Sequence, residues 1–375
     1  MDKIKILNVI TNGFKAEGIT SSWLAVSEQL FLEKDIKFEI NYLVIEDLSD
    51  YELIKTWEKK GVKFQYIKSR NKNPFKYIFQ LKKILQNGNY DIIHVNGSSH
   101  LMTLEFIAAK LSNIKLRIAH SRNTSTNHNI LHKVLSFPFN KLVNGRIACG
   151  KEAGDWLFGK HPFTIIHNGR NLTKYSFLYD QRTLIRKDLM LEDKFIVGHI
   201  GNFNDQKNHK FLIDIFHELV KFKNNAHLVL IGDGPLFYQV KNKINNLGLN
   251  KNVTLLGSTQ DIPKFLQAMD LMVFPSLYEG LPNVVLEWQA NGLPSLISDS
   301  ITKECIVSDF VYTQSLKNSP KDWAEKILEI YKKGNNRMQN SIEGIKALKN
   351  EGFDIKATIT NLQEFYISFY FIHKH

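Results

Sequence analysis

The sequence predicts an α/β protein made of two doubly wound parallel-sheet domains in tandem. Three observations carry this. The chain has 375 residues, beyond the size at which one core keeps growing, so two domains are expected. Short apolar runs alternate with longer stretches of helical period along nearly its whole length, the signature of βαβ units with helices on both faces of parallel sheets. The alternation pauses once and then restarts.

In the first half the strand-like runs are "IKILNVI", "KFEINYLVI", "VKFQYI", "DIIHVNG", "KLRIAHS", "RIACG" and "FTIIHNG". In the second they are "FIVGHIG", "AHLVLIG", "NVTLLG", "LMVFPS" and "LPSLISD". Between them lie amphipathic stretches such as "PFKYIFQLKKILQNG" and "HKFLIDIFHELVKF", with apolar residues at helical spacing. The polar stretch 168–194 contains no strand-like run and reads as a connector. Residues 1–175 then form a first Rossmann-like domain, and residues 190–354 a second that opens at Phe195. The tail 355–375 reads as an amphipathic helix dense in aromatic residues. No short-period repeat or low-complexity tract interrupts the chain.

Composition narrows the class. Hydrophobic content of 43% and charged content of 23% suit a globular protein and exclude extended disorder. With no apolar run of roughly 18 residues, a spanning helix is not expected, and the opening "MDKIKILNVI" reads as a buried strand rather than a secretory signal. The expected location is cytoplasmic. Cys149 and Cys305 follow no metal-ligand spacing and read as reduced core residues.

The net charge of +12 is unevenly placed: residues 1–190 hold 29 Lys+Arg and 17 Asp+Glu, and residues 191–375 hold 20 of each. One-sided charge of this kind attracts an anionic surface. In "PFKYIFQLKKILQNG" Phe75, Tyr77, Ile78, Phe79 and Leu81 mix with Lys76, Lys82 and Lys83, a pattern suited to anionic lipid headgroups on the inner face of the cell membrane. Nucleic acid is the rival anion, but no nucleic-acid module is recognisable, so none is expected as a partner.

In doubly wound sheets ligands bind beyond the carboxyl ends of strands. "LMVFPS" is such a strand, "LYEG" its exit loop, and "LPNVVLEWQANG" a helix with Pro282 in its first turn and Gly292 beyond its last. Gly280, Leu281, Pro282, Asn283 and Val284 therefore form a helix start whose N–H groups suit a diphosphate. Glu287 lies five residues past Pro282, roughly 7 Å along the axis, within reach of the ribose of the same nucleotide. Glu279, on the other side of the phosphate, would face whatever the diphosphate carries. Lys207, after the first strand of the second domain, is a point charge at a strand exit. His120 follows the strand "KLRIA" at the same kind of sheet end. Gly13 and Gly18 sit in the turn after strand one, where glycine allows close backbone approach to a ligand. That turn is not the G-x-G-x-x-G dinucleotide pattern. No Asp-x-Asp and no cluster of ligand spacing occurs, so neither a metal nor a cofactor is expected.

"FPSLYEGLPNVVLEWQANGLPSLISD" resembles the E-x7-E signature of family 4 retaining glycosyltransferases, closest to their bacterial capsule and exopolysaccharide branch. "IAHSRN", "ACGKEAGDWLFG", "IIHNG", "GHIGNFNDQKNHKFLIDIF", "LIGDGPL" and "LLGSTQDIPKFLQAMDLMVFPS" follow in the order that branch shows them. The resemblance implies the GT-B fold: two Rossmann-like domains facing a central cleft, with a final helix crossing back onto the first. It implies that Glu287 binds the donor ribose, that Glu279 binds donor sugar hydroxyls, that Lys207 meets the leaving diphosphate, and that His120 lies near the reacting bond. It further implies transfer of a hexosyl unit from a nucleoside-diphosphate sugar, UDP-linked, to a polyprenyl-diphosphate-linked or oligosaccharide acceptor, with retention and without a metal. The chain departs from the pattern at Asn202, where the family usually has arginine. An asparagine cannot supply that charge, which leaves Arg122 and Arg170 as substitute cations and keeps open a non-catalytic partner. A nucleotide-sugar epimerase of the same fold is the other alternative.

Overall fold

The computed structural model describes residues 3–15, 18–32, 38–68, 70–124, 126, 128–259 and 261–374. The chain divides into two compact units, Met1–Arg170 with Phe353–His375, and Asn171–Gly352.

The first unit is a seven-stranded parallel sheet of β1 (Ile4–Ile10), β2 (Phe38–Ile45), β3 (Lys63–Ile67), β4 (Ile92–Gly97), β5 (Leu116–Ser121), β6 (Gly145–Ala148) and β7 (Thr164–Ile165). The spatial order is β3-β2-β1-β4-β5-β6-β7. Its helices are α1 (Gly18–Leu32), α2 (Tyr51–Lys59), α3 (Pro74–Asn87), α4 (Thr103–Leu111), α5 (Asn129–Val134), α6 (Ser136–Leu142) and α7 (Lys151–Phe158). Successive strand residues enter different cores because side chains alternate across a sheet. Ile6, Ile10, Tyr42, Val44, Ile92 and Ile118 pack on one face. Leu7, Val9, Leu43, Ile45, Ile93 and Val95 pack on the other, against α3, α4, α6 and α7.

The second unit begins with a correction. The polar stretch read as a connector contains α8 (Tyr179–Asp188), and this helix belongs to the second unit. Arg182 and Asp270 form an ion pair there, joined by Arg186 at 3.1 Å from the same carboxylate. Charged side chains thus attach α8, which is why its composition looks like a linker. The six-stranded sheet comprises β8 (Phe195–Ile200), β9 (Ala226–Ile231), β10 (Val253–Gly257), β11 (Leu271–Phe274), β12 (Ser295–Ser298) and β13 (Val311–Gln314), in the order β10-β9-β8-β11-β12-β13. β13 has no counterpart among the apolar runs of the sequence. It is an edge strand reading Val-Tyr-Thr-Gln, mostly half-buried or exposed. Helices α9 (His209–Phe222), α10 (Phe237–Asn246), α11 (Ile262–Ala268), α12 (Asn283–Ala290), α13 (Pro320–Lys332) and α14 (Arg337–Asn350) complete it.

Helix α15 (Ile355–Lys374) returns to the first unit. Ile355, Ile359, Leu362, Phe365 and Tyr366 are buried in the same core as Trp23 of α1 and the strand residues on that face. Among the described residues, no helix is long and apolar enough to cross a membrane.

Candidate functional site

Each sheet reverses its winding once, between β1 and β4 in the first and between β8 and β11 in the second. Such switch points open a crevice beyond the carboxyl ends of the two flanking strands. Lys207 follows β8 and Glu279 follows β11, so strand order brings together two residues far apart in sequence.

Their loops are sewn to one another. Leu277 N–H donates to Gln206 O at 2.8 Å; Asn208 Nδ2 donates to Pro275 O at 3.1 Å and Gln206 Nε2 to Tyr278 O at 2.9 Å. Lys207 Nζ lies 2.6 Å from Glu279 Oε1, and Gln206 Nε2 donates to Glu279 Oε2 at 3.0 Å. The lysine and glutamate side chains are only 16% and 8% exposed. Lys207 Nζ also sits over the Phe274 ring, 4.7 Å from its centroid, and its backbone N–H donates to the Asn204 carboxamide at 3.2 Å. Gly201 supports this placement, since a Cβ there would lie 3.2 Å from the lysine stem.

The segment after Glu279 differs by one residue from the expectation. Pro282 is the N-cap of α12, with extended ψ of 104°, and the helix starts at Asn283. Pro282 has no N–H, so it shapes the helix start without donating there. Leu281 is buried and Gly280, Asn283 and Val284 are partly buried. Glu287 is 7% exposed, between Leu286 and Trp288, which are fully buried. A carboxylate placed so deep requires polar partners. Asn202 is exposed, in a loop held from below: Phe203 N–H donates to Asp233 O and Leu236 N–H to Phe203 O, both at 2.9 Å. Gly232 has φ +142°, and a Cβ on it would meet Gly201 O at 2.1 Å. The glycine in "IGDGP" is therefore part of the site's scaffold, legible only as a Gly-x-Gly at a strand exit.

Beneath Lys207 lie His199 and His209, 0% and 1% exposed, with ring centroids 4.6 Å apart. Burial lowers the His199 pKa to about 4 although its Nδ1 bonds Val273 O at 2.9 Å. Burial, and then the neighbouring His199, lower that of His209 to about 2. Both are neutral at physiological pH.

In the first unit a small pocket is lined by Trp23, His120, Arg122, Asn168 and Thr358, among others. His120 sits on β5 and is 1% exposed. Its Nδ1 lies 2.9 Å from His94 Nε2, and His94 Nδ1 lies 2.7 Å from Tyr366 Oη. Burial, reinforced by the Arg122 charge, holds both imidazoles well below the usual histidine range. Asn96 Oδ1 accepts from Trp23 Nε1 at 2.8 Å and from Arg122 Nε at 3.0 Å, and Arg122 also donates to the Asn168 carboxamide. Burial brings the Arg122 pKa down to about 10, which leaves it charged at neutral pH. Of the two substitute cations named from sequence, Arg122 lines this pocket, whereas Arg170 Nη2 is directed to Ser21 Oγ at 3.1 Å.

Gly13 has φ +85°, and a Cβ on it would stand 2.1 Å from Leu48 O, so the fold itself requires glycine there. Gly18 is the first residue of α1; residues 16 and 17 of the same turn lie outside the described residues. The structure thus gathers Lys207, Glu279 and Gln206 in the second unit, and His120, His94, Tyr366, Asn96 and Arg122 in the first. Sequence reasoning missed His94 and Asn96; their signal was two polar side chains in "DIIHVNG", a strand buried at every position. Among the described residues no three His, Cys, Asp or Glu side chains form a group that could hold a metal ion.

Comparison with known proteins gives the family. Residues 180–347 match the model described as "Glycosyl transferases group 1". The chain is 26% identical over 337 residues to "Capsular polysaccharide biosynthesis glycosyltransferase CapH" of Staphylococcus aureus, covering 84% of this chain and 87% of that protein. Among solved structures it is similar to Anabaena Alr3699/HepE in complex with UDP-glucose, with a TM-score of 0.81 at 19% identity, covering 97% of this chain and 99% of that one. Sucrose-phosphate synthase from Thermosynechococcus elongatus gives 0.77 at 15% identity, covering 98% and 100%. The two Rossmann-like sheets, with these neighbours, make the fold GT-B. The chain is also 30% identical over 310 residues to "Putative glycosyltransferase EpsF" of Bacillus subtilis (strain 168), covering 78% of this chain and 79% of that protein, and it belongs to the group 1 glycosyl transferases.

Proposed function

We propose that this glycosyltransferase is of the family 4 retaining type and moves a hexosyl unit from a UDP-linked sugar to a lipid-linked or saccharide acceptor in capsule, exopolysaccharide or O-antigen synthesis. The observation that carries the reading is the Lys207–Glu279 pair at the switch point of the second sheet, with Glu287 buried in the helix that follows. An ammonium has three N–H groups. Glu279 takes one, and the others face the diphosphate, where negative charge grows as the sugar–oxygen bond breaks. Glu279, already oriented by Lys207 and Gln206, keeps lone pairs for sugar hydroxyls, and Glu287 accepts from the ribose. The helix start at Asn283 and Val284 adds the favourable end of its dipole. In the first unit His120 and Arg122 present hydrogen-bond donors. These groups serve without a metal.

The donor assignment is supported by HepE, captured with UDP and with UDP-glucose. The acceptor assignment is supported by two relatives. The Escherichia coli one is named "UDP-Gal:alpha-D-GlcNAc-diphosphoundecaprenol alpha-1,3-galactosyltransferase", 30% identical over 254 residues. The Campylobacter jejuni one also acts on a diphospho-undecaprenol acceptor by name, at 25% over 280 residues.

A lipid-linked acceptor calls for membrane contact. Phe75 and Phe79 on α3 are 86% and 63% exposed, as are Ile130, Val134 and Phe137 on α5 and α6 at 80%, 67% and 69%. Lys76, Lys82, Lys83, Lys133 and Lys141 accompany them, and α3 and α6 pack through Tyr77, Leu81 and Phe139 into the core on one face of the sheet. Apolar side chains set among lysines suit an anionic bilayer.

The test is release of nucleoside diphosphate from UDP-, GDP- and ADP-sugars with bacterial membranes as acceptor source, in EDTA and with added magnesium. Release from UDP-sugars that EDTA leaves unchanged supports the proposal; dependence on GDP- or ADP-sugars, or on magnesium, overturns that part of it. Asn202 favours a second reading, a catalytically silent partner, because an exposed neutral side chain stands where the family carries a cation. Turnover appearing only in Asn202→Arg would select that reading.

A further inference from the structure

A hydrogen-bonded chain runs from the C-terminal helix to the pocket of the first unit. Tyr366 Oη meets His94 Nδ1 at 2.7 Å, and His94 Nε2 meets His120 Nδ1 at 2.9 Å. The three residues are 2%, 0% and 1% exposed. His120 Nε2 has no partner among the described residues, and His120 lines the pocket. Burial keeps both rings neutral, so each carries one ring proton, and its position is set by the bond the other nitrogen makes.

Only two proton arrangements satisfy both bonds. In one, Tyr366 donates to His94 Nδ1, His94 donates from Nε2 to His120 Nδ1, and the His120 proton sits on Nε2. In the other every bond reverses, and two buried groups lack partners: the Tyr366 hydroxyl proton and the His120 Nε2 lone pair. Each such group carries the desolvation penalty of a hydrogen bond left unmade. The first arrangement leaves one unpartnered group, the Nε2–H itself, at a residue that lines the pocket.

We propose that Tyr366 and His94 are positioning residues that hold His120 as the Nε2–H tautomer, a fixed hydrogen-bond donor to an oxygen of the ligand in this pocket. Arg122, which also only donates, lines the same pocket, whose volume of about 10 Å³ admits one oxygen-sized group, so what enters there is an acceptor oxygen. Calling that oxygen a sugar hydroxyl or glycosidic oxygen rests on the proposed function; the tautomer does not. The consequence is that α15, remote in sequence, sets the donor at β5.

The experiment is ¹⁵N NMR of the full chain labelled at histidine, with the His120 signals assigned by their loss in His120→Gln. The expected result is a protonated Nε2 and an unprotonated Nδ1 in the wild type, shifting toward a mixture of tautomers in Tyr366→Phe. A wild-type proton on Nδ1, or tautomer populations unchanged in Tyr366→Phe, overturns the proposal. If Tyr366→Phe fails to fold, two substitutions of His94 decide the matter. Gln can still donate to His120 Nδ1 and should keep kcat within a few-fold, whereas Leu cannot and should lower kcat about tenfold or more with little change in donor KM. Equal losses in both overturn it. An Nε2–H tautomer in a chain that transfers no sugar would sink the proposed function and leave this inference standing.

Discussion

Lys207→Met removes the ammonium and keeps most of the stem that packs over Gly201 and Phe274. Glu279, 8% exposed, then retains, among the described residues, the Gln206 carboxamide at 3.0 Å. Removing one partner of a buried pair costs about 3–5 kcal/mol, because the remaining charge stays desolvated. With a urea m-value of about 2 kcal/mol/M, a loss of 3 kcal/mol lowers the midpoint of the second unit by about 1.5 M. Glu279→Gln alone should cost nearly as much, since Lys207 is 16% exposed. The double variant buries no charge, so it should be more stable than either single one, with a coupling energy of about 2–4 kcal/mol. Activity should behave differently: kcat should fall about 100-fold or more in Lys207→Met and stay low in the double variant, because the charge on the leaving diphosphate is still uncompensated. Urea unfolding followed by the fluorescence of Trp288 and Trp323, both fully buried in the second unit, reads the stability side. Additive single effects, or a loss below about 1 kcal/mol in Lys207→Met, would refute the reasoning, because solvent would then be screening the pair.

The second unit should weaken in mild acid. Burial lowers the His199 pKa from 6.5 to about 4 and that of His209 to about 2, so the folded unit binds fewer protons than the unfolded chain below about pH 6.5. The stabilisation is complete above that pH and should decline as pH falls toward 4, by up to about 1.4 kcal/mol per pH unit for each histidine. Urea midpoints at pH 7.5 and 5.0 check the sign, and a midpoint that stays level or rises contradicts it. Gly13→Ala should destabilise the first unit by about 1–3 kcal/mol from backbone strain alone, with the clash at Leu48 O adding to it; an unchanged melting temperature would show that the turn relaxes freely. Sedimentation with vesicles containing phosphatidylglycerol should capture the wild type at low salt and lose Phe75→Ser/Phe79→Ser, while equal capture by neutral phosphatidylcholine vesicles would remove the electrostatic part of the membrane reading.

Much of the architecture is legible in the sequence because buried parallel strands are near-continuous apolar runs bounded by turn residues, such as "AHLVLI" at β9. β13 escapes because an edge strand has one poorly covered face, and α8 escapes because its buried side chains are only Ile185 and the ion-paired Arg186, too few apolar positions to show a helical period. The candidate site was legible as a whole segment rather than residue by residue: Lys207 and Glu279 lie in strand-exit loops and Glu287 inside α12, and the resemblance of the composite singled them out. The contact between Lys207 and Glu279 depends on β11 inserting beside β8, a strand order that periodicity does not encode. The same holds for His120. Its own position on β5 is visible in "KLRIAHS", but the Tyr366–His94 chain behind it joins residues 272 positions apart. Pro282 shows the limit of local rules, since proline favours the first helical position, yet here it is the N-cap with extended ψ.

The central claim is that the second unit holds a uridine diphosphate through Glu287 and Lys207, and titration calorimetry with UDP tests it most directly. Wild type should bind; Glu287→Gln, which keeps the size and loses charge-assisted bonds worth about 1.5–3 kcal/mol, should bind roughly 10- to 100-fold more weakly, with Lys207→Met also weakened. UDP affinity unchanged in both variants, or no UDP binding by a folded wild type, would contradict the account.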